Sequence, residues 1–144
     1  MTENQKLGES YLLRIREKEK EYKATLMEIE ALEYAASGQG AIRYDKDKVQ
    51  TSSDPNDRMI EFIQDAIAKR AELEKISIEL DELKVSSYQF IKRMANADER
   101  IILEWYYINA KPMEEAMRKL CVSERKAYYI RDDALEHFGE LISL

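Results

Sequence analysis

Four glycines and two prolines among 144 residues leave little material for tight turns and loops, so helix is favoured before any pattern is read. Cys121 is the one cysteine, which excludes an intrachain disulfide. With His137 the one histidine, a paired Cys/His zinc site cannot be assembled either, and a reducing compartment fits. No stretch approaches the roughly 18 uncharged apolar residues that span a bilayer, and Met1 to Gly8 is polar with no apolar h-region. A cytoplasmic protein with no membrane contact is expected. Positive charge is also in short supply: 23 basic residues stand against 29 acidic ones, a net charge of -6. That argues against a protein that coats nucleic acid by bulk attraction, and leaves open a sequence reader with a local basic patch.

Catalytic chemistry is equally thin. His137 stands beside Phe138 with no Cys or Ser partner at a recognisable spacing, and reads as a surface or end-cap residue. Asp45-Lys46-Asp47-Lys48 brings two carboxylates together without the glycine and terminal glutamate of a calcium loop. We expect no catalytic residue, no metal, no cofactor and no small-molecule substrate.

What is present is helical period. Leu12, Ile15, Tyr22, Leu26, Ile29 and Ala36 recur at three- and four-residue steps, with Glu19 and Glu33 interrupting the row, and predict a helix from about Glu9 to Ala36. Ser37-Gly38-Gln39-Gly40 stops it, and 41–53 has no helical period, although Ile42, Tyr44 and Val49 are bulky enough to pack. Gln50-Thr51-Ser52-Ser53 fits a gap closed by side-chain to backbone hydrogen bonds. Asp54 then reads as an N-cap, with Pro55 at the first helical position. Behind it Met59, Phe62, Ala66, Lys69, Leu73, Ile76, Leu80, Leu83, Ser87, Phe90, Met94 and Ala97 form a sustained stripe, which Ile60, Ile63 and Ile67 widen at its start. Such a helix, roughly 55 Å long, needs a long partner.

A third region begins at Asn96. Asp98 reads as the cap of a helix Glu99 to Tyr107, whose Trp105, Tyr106 and Tyr107 suit the core and rim of a small domain. Asn109 to Pro112 ends it, a short helix follows through Leu120, and after a break at Cys121-Val122 a Ser123-capped helix runs to about Phe138. Two short helices with so brief a turn, the second carrying basic residues in its first turns, fit a helix-turn-helix. Ala116, Leu120, Val122, Ala127, Ile130 and Ala134 can share a core, leaving Glu124, Arg125, Tyr128 and Arg131 outward with Lys126, Tyr129 and Asp132 at the edges. Cys121 reads as a small, partly buried turn residue.

The expected fold class is therefore all-α: a long antiparallel helical hairpin, coiled-coil-like, over 1–97 with a loop at 37–54, then a compact three-helix headpiece over 98–144. The unpaired length of the second long helix implies a homodimer through the stalk.

The run from Glu30 to Met59, with Tyr44 through Val49-Gln50-Thr51-Ser52 as its most specific piece, and Glu99 to Leu135 resemble a family of small uncharacterised proteins of Gram-positive phages and prophages. That family is similar to phage late-gene transcriptional activators and to the promoter-reading C-terminal domain of sigma factors. The resemblance rests on Leu103, Tyr106-Tyr107-Ile108, Pro112 to Leu120, Ser123 and Ala134-Leu135. It implies a transcriptional regulator that binds double-stranded DNA, with contact to RNA polymerase, and Ser123, Arg125, Lys126, Tyr128, Tyr129 and Arg131 as the DNA-binding set. The alternative is a phage adaptor or assembly protein whose stalk and headpiece bind protein. The chain departs from the motif at Ala116-Met117, where a large aliphatic residue and then alanine are usual, and at Cys121, which lacks glycine's tolerance for positive φ.

Overall fold

The computed structural model describes residues 1–38 and 55–144. Asp54, the acidic pair at Asp45 and Asp47 and the loop residues Ile42, Tyr44 and Val49 lie outside the described residues. The described chain is all-helical, as expected: α1 (Glu3–Ala36), α2 (Pro55–Ile91), α3 (Ala97–Ile102) continuing into a π-helical turn (Leu103–Ile108), α4 (Met113–Leu120) and α5 (Glu124–Ile142), with no strand among those residues. None of these helices is long and apolar enough to cross a membrane.

Two helix starts differ from the sequence reading, each because a cap lies further upstream. α1 begins at Glu3 rather than Glu9. The Thr2 hydroxyl accepts from Gln5 N at 3.1 Å while Gln5 Oε1 accepts from Thr2 N at 2.9 Å, a reciprocal box that satisfies two otherwise orphaned donors. α3 is capped by Asn96, not Asp98: the Asn96 backbone is extended and its side-chain oxygen accepts from Asp98 N at 2.9 Å and Glu99 N at 3.2 Å. Asp98 falls instead in the first turn, where its charge complements the helix dipole. At the other end of this segment Asn109 N donates to Glu104 O, five residues back, at 2.9 Å, which widens the turn carrying Trp105, Tyr106 and Tyr107.

The chain divides into two compact units, residues 1–19 with 79–144, and residues 20–78. In the larger unit Leu12 and Ile15 of α1, Leu80 and Ile91 of α2, Leu103 and Tyr107 of the third region, and Leu135 and Phe138 of α5 share one core. Tyr11, Phe90 and Phe138 meet at tilted or edge-on angles with centroids 5.7–6.0 Å apart, a favourable aromatic arrangement. A second cluster, Ile102, Met113, Ala116 and Ala127, lies under the turn between α4 and α5.

In the smaller unit Thr25 and Ile29 of α1 and Ala66 and Ile76 of α2 are buried. Lys69 pairs with Glu28 at 2.9 Å and with Glu72 at 3.3 Å, and Arg70 pairs with Glu33. Ile60, Ile63 and Ile67, which widen the apolar stripe at its start, are 51%, 46% and 63% exposed. These positions sit roughly a third of a turn away from the Phe62, Ala66 and Leu73 line, on a flank that one partner helix does not reach.

Candidate DNA-reading face

The α4–α5 pair is built around its turn. Cys121 adopts φ 54° and ψ 47°, left-handed backbone that reverses the chain so that Val122 N donates to Met117 O at 3.1 Å. Ser123 then takes extended backbone and its hydroxyl accepts from Lys126 N at 3.3 Å, starting α5. Fully buried Ala116 and Ala127 allow close approach of the two helices, while Met117 lies at the rim of their cluster. A buried alanine thus stands one residue before the position where the expected motif would have it. Cys121 is exposed rather than partly buried, because the left-handed turn carries its side chain outward.

A left-handed L-residue costs about 1–2 kcal/mol, partly offset by the greater freedom glycine would have in the unfolded chain. We expect Cys121→Gly to raise stability by about 0.5–1 kcal/mol in urea unfolding with unchanged helix content. A loss of stability would mean that the thiol, 3.7 Å from Arg118 O, holds the turn.

The open part of α5 is its first two turns. Ser123, Arg125, Lys126 and Tyr129 are exposed, and Tyr128 is half-buried against the second cluster. Arg125 lies over the Tyr129 ring at 5.7 Å and its Nε donates to the Tyr129 hydroxyl at 3.3 Å, so the two form one raised feature. Ser123, Glu124, Arg125, Tyr128, Tyr129 and Asp132 line an open, shallow groove. Among the described residues Arg118, Arg125 and Lys126 have no ion pair.

Beyond Tyr129 one face of the helix is covered by the start of α1, while Asp133, His137 and Glu140 stay exposed. Gln5 Nε2 donates to Asp132 O at 3.0 Å, Asn4 Nδ2 donates to Glu136 Oε1 at 3.1 Å, and the Thr2 hydroxyl donates to Glu136 Oε2. Both donors favour the charged carboxylate and hold Glu136 below its ordinary pKa. Arg131, expected to face outward, has a side chain only 19% exposed; its guanidinium pairs with Asp132 at 2.9 Å and lies 4.9 Å over the Tyr128 ring. Burial opposes its charge, but the Asp132 hydrogen bonds and the fields of Tyr107, Asp132 and Glu9 outweigh burial and raise its pKa. Behind it the buried Tyr107 hydroxyl donates to Glu9 at 3.0 Å, and burial first, then Glu9, pushes the phenol far above its ordinary value. Of the six candidate residues, the structure leaves Ser123, Arg125, Lys126 and Tyr129 accessible together and engages Tyr128 and Arg131 from behind.

Sequence reasoning passed over Arg118 and Lys119, exposed in the last turn of α4, where Lys119 Nζ lies 5.0 Å from the Trp105 ring centroid. Their signal was available: two adjacent cations ahead of the same turn that Arg125 and Lys126 follow. His137 is not idle either. Its Nδ1 contacts both carboxylate oxygens of the buried Glu99, tying the start of α3 to α5.

Comparison with protein-family models, with curated proteins and with solved structures finds no match for this chain.

Proposed function

We propose that this protein is a non-catalytic DNA-binding transcriptional regulator of phage or prophage type, reading the major groove with the first turns of α5. The observation that carries the reading is the combination of a short turn between α4 and α5 with an α5 whose N-terminal turns are open and cationic, Arg125 and Lys126 having no ion pair among the described residues, while α1 covers one face of the rest of the helix. In a helix-turn-helix the N-terminal residues of the second helix meet the base edges, and the first helix crosses the backbone. Arg125 can present two parallel donors to a guanine edge, and Tyr129, stacked on it, can donate to phosphate. Lys126, the amides at the start of α5 and Arg118 across the turn can hold backbone phosphates. Tyr128 and Arg131 support this surface from within. The pairing of α1 with α2 in each unit supports the antiparallel helical hairpin, and a dimer presenting two such faces would compensate for the weak positive charge of each. Contact with RNA polymerase belongs to the same proposal.

A protein-binding adaptor remains the second reading, favoured by Glu124 and Asp132, which line the same groove as Arg125. Salt separates the two. If three phosphates are held per chain, affinity for duplex DNA falls about 40-fold between 50 and 200 mM salt, since each neutralised phosphate contributes about 0.9 to the log–log slope. Retention of fragmented genomic DNA on the immobilised full chain, titrated with salt, measures this. No retention at 50 mM salt defeats the regulator reading.

A further inference from the structure

We propose that the exposed flank of α2 in the smaller unit is covered by the same flank of a second copy of this chain, with the two helices antiparallel. Ile60, Ile63 and Ile67 stand in line at three- and four-residue steps, each about half exposed or more, and exposed Ala71 continues the line. Three isoleucines so aligned on one helix are an apolar seam without a partner. What lies along the seam selects the occupant and its direction.

Glu74 is the next residue in the line, and it is exposed. A parallel, in-register pair would carry the seam through Glu74 and oppose it to its own copy, which a coiled-coil seam disfavours. An antiparallel pair centred between Asp65 and Ala66 avoids this. It sets Ile63 and Ile67 of one chain within one residue of level with Ile67 and Ile63 of the other, and Ile60 level with Ala71. In that register Glu74 comes opposite Asn56, and Ile78, the next exposed position on the same line, lies past the start of the second copy's α2. In antiparallel pairs like flanks meet, and the same register brings Asp57 beside Lys75 of the second copy, twice over by symmetry. Asp57 and Lys75 lie at the same angle on one flank of α2, both are exposed, and neither has an ion pair among the described residues. The face is therefore complementary to itself in both apolar pattern and charge.

This adds a partner surface to the regulator reading, and its test contains no DNA, so either can fail alone. Sedimentation of the full chain over a range of concentrations is expected to show a monomer–dimer equilibrium. Ile63→Glu with Ile67→Glu should abolish the dimer with unchanged far-ultraviolet circular dichroism, because both side chains are already exposed. Asp57→Lys alone should weaken the dimer about tenfold by opposing two cations at each end, and Asp57→Lys with Lys75→Asp should restore it to within about twofold. In one chain these residues are about 27 Å apart along the helix, so only an antiparallel partner couples them. A monomer at every concentration, or a dimer that survives the paired glutamates, overturns the proposal. Failure of the double reversal to restore the dimer overturns the antiparallel register.

Discussion

Gly139→Ala is expected to destabilise the larger unit by about 3 kcal/mol, more than any exposed substitution on the same helix. Helix propensity alone would predict the reverse, since alanine in a helix interior is about 1 kcal/mol better than glycine. Space decides the sign. A methyl group at Gly139 would lie 2.0 Å from Asn4 O, 2.6 Å from Asn4 C and 2.9 Å from Asn4 Cα, all backbone that no rotamer change can remove. Gly8 faces the same contact from the other side, its Cβ position 2.7 Å from Leu135 O. Relief requires the first turn of α1 to lift from α5, which breaks the hydrogen bonds from Thr2 and Asn4 to Glu136 and from Gln5 to Asp132 O. Urea unfolding of Gly139→Ala beside Glu140→Ala, an exposed neighbour expected to stay within about 0.5 kcal/mol of the parent, isolates the effect. Equal stabilities for the two variants would contradict the close approach of α1 and α5.

That contact also marks where sequence reading stopped. The period of α2 was legible because buried positions recur along one face of the helix: Ala66, Ile76, Leu80 and Ser87, all on the expected stripe, are buried. Leu12 and Ile15 were legible as an apolar face of α1, but not as neighbours of Phe138, because a period names a face and not its partner. The first turn of α1 was hidden by its polarity. Its signal was the Thr2 and Gln5 spacing of a capping box, and its anchor is polar, a set of hydrogen bonds to α5 that no hydrophobic pattern announces. Ile60, Ile63 and Ile67 show a different limit, since the period marks them as apolar without saying that a single partner helix covers only one flank.

The candidate site was legible in the same uneven way. Ser123 as cap, the buried Ala116 and Ala127 and the exposed Arg125 and Lys126 follow from helix spacing alone. Arg131 does not. It shares a face with Tyr128, yet it lies where α1 crosses, with Glu9 and Tyr107 close by, and that crossing joins residues more than a hundred positions apart. Cys121 shows how tolerant the turn is: the left-handed backbone that glycine would adopt freely is kept by a residue that must pay for it.

The largest functional effect is expected from Arg125→Ala combined with Lys126→Ala. Both side chains are exposed and have no ion pair among the described residues, and alanine is at least as good a helix former, so the fold should be unaffected. Charge-assisted contacts to bases or phosphates contribute about 1–3 kcal/mol each, so removing two of them weakens DNA binding on the order of 100-fold per chain. Arg131→Ala, by contrast, should act mainly on stability, because its guanidinium is committed to Asp132 and Tyr128. The decisive measurement is retention of fragmented genomic DNA by the full chain and by the Arg125→Ala, Lys126→Ala variant at the same low salt, with circular dichroism and sedimentation matched between the two. The account predicts that the parent retains DNA and that the variant loses nearly all of it; equal retention by both would contradict α5 as the reading helix.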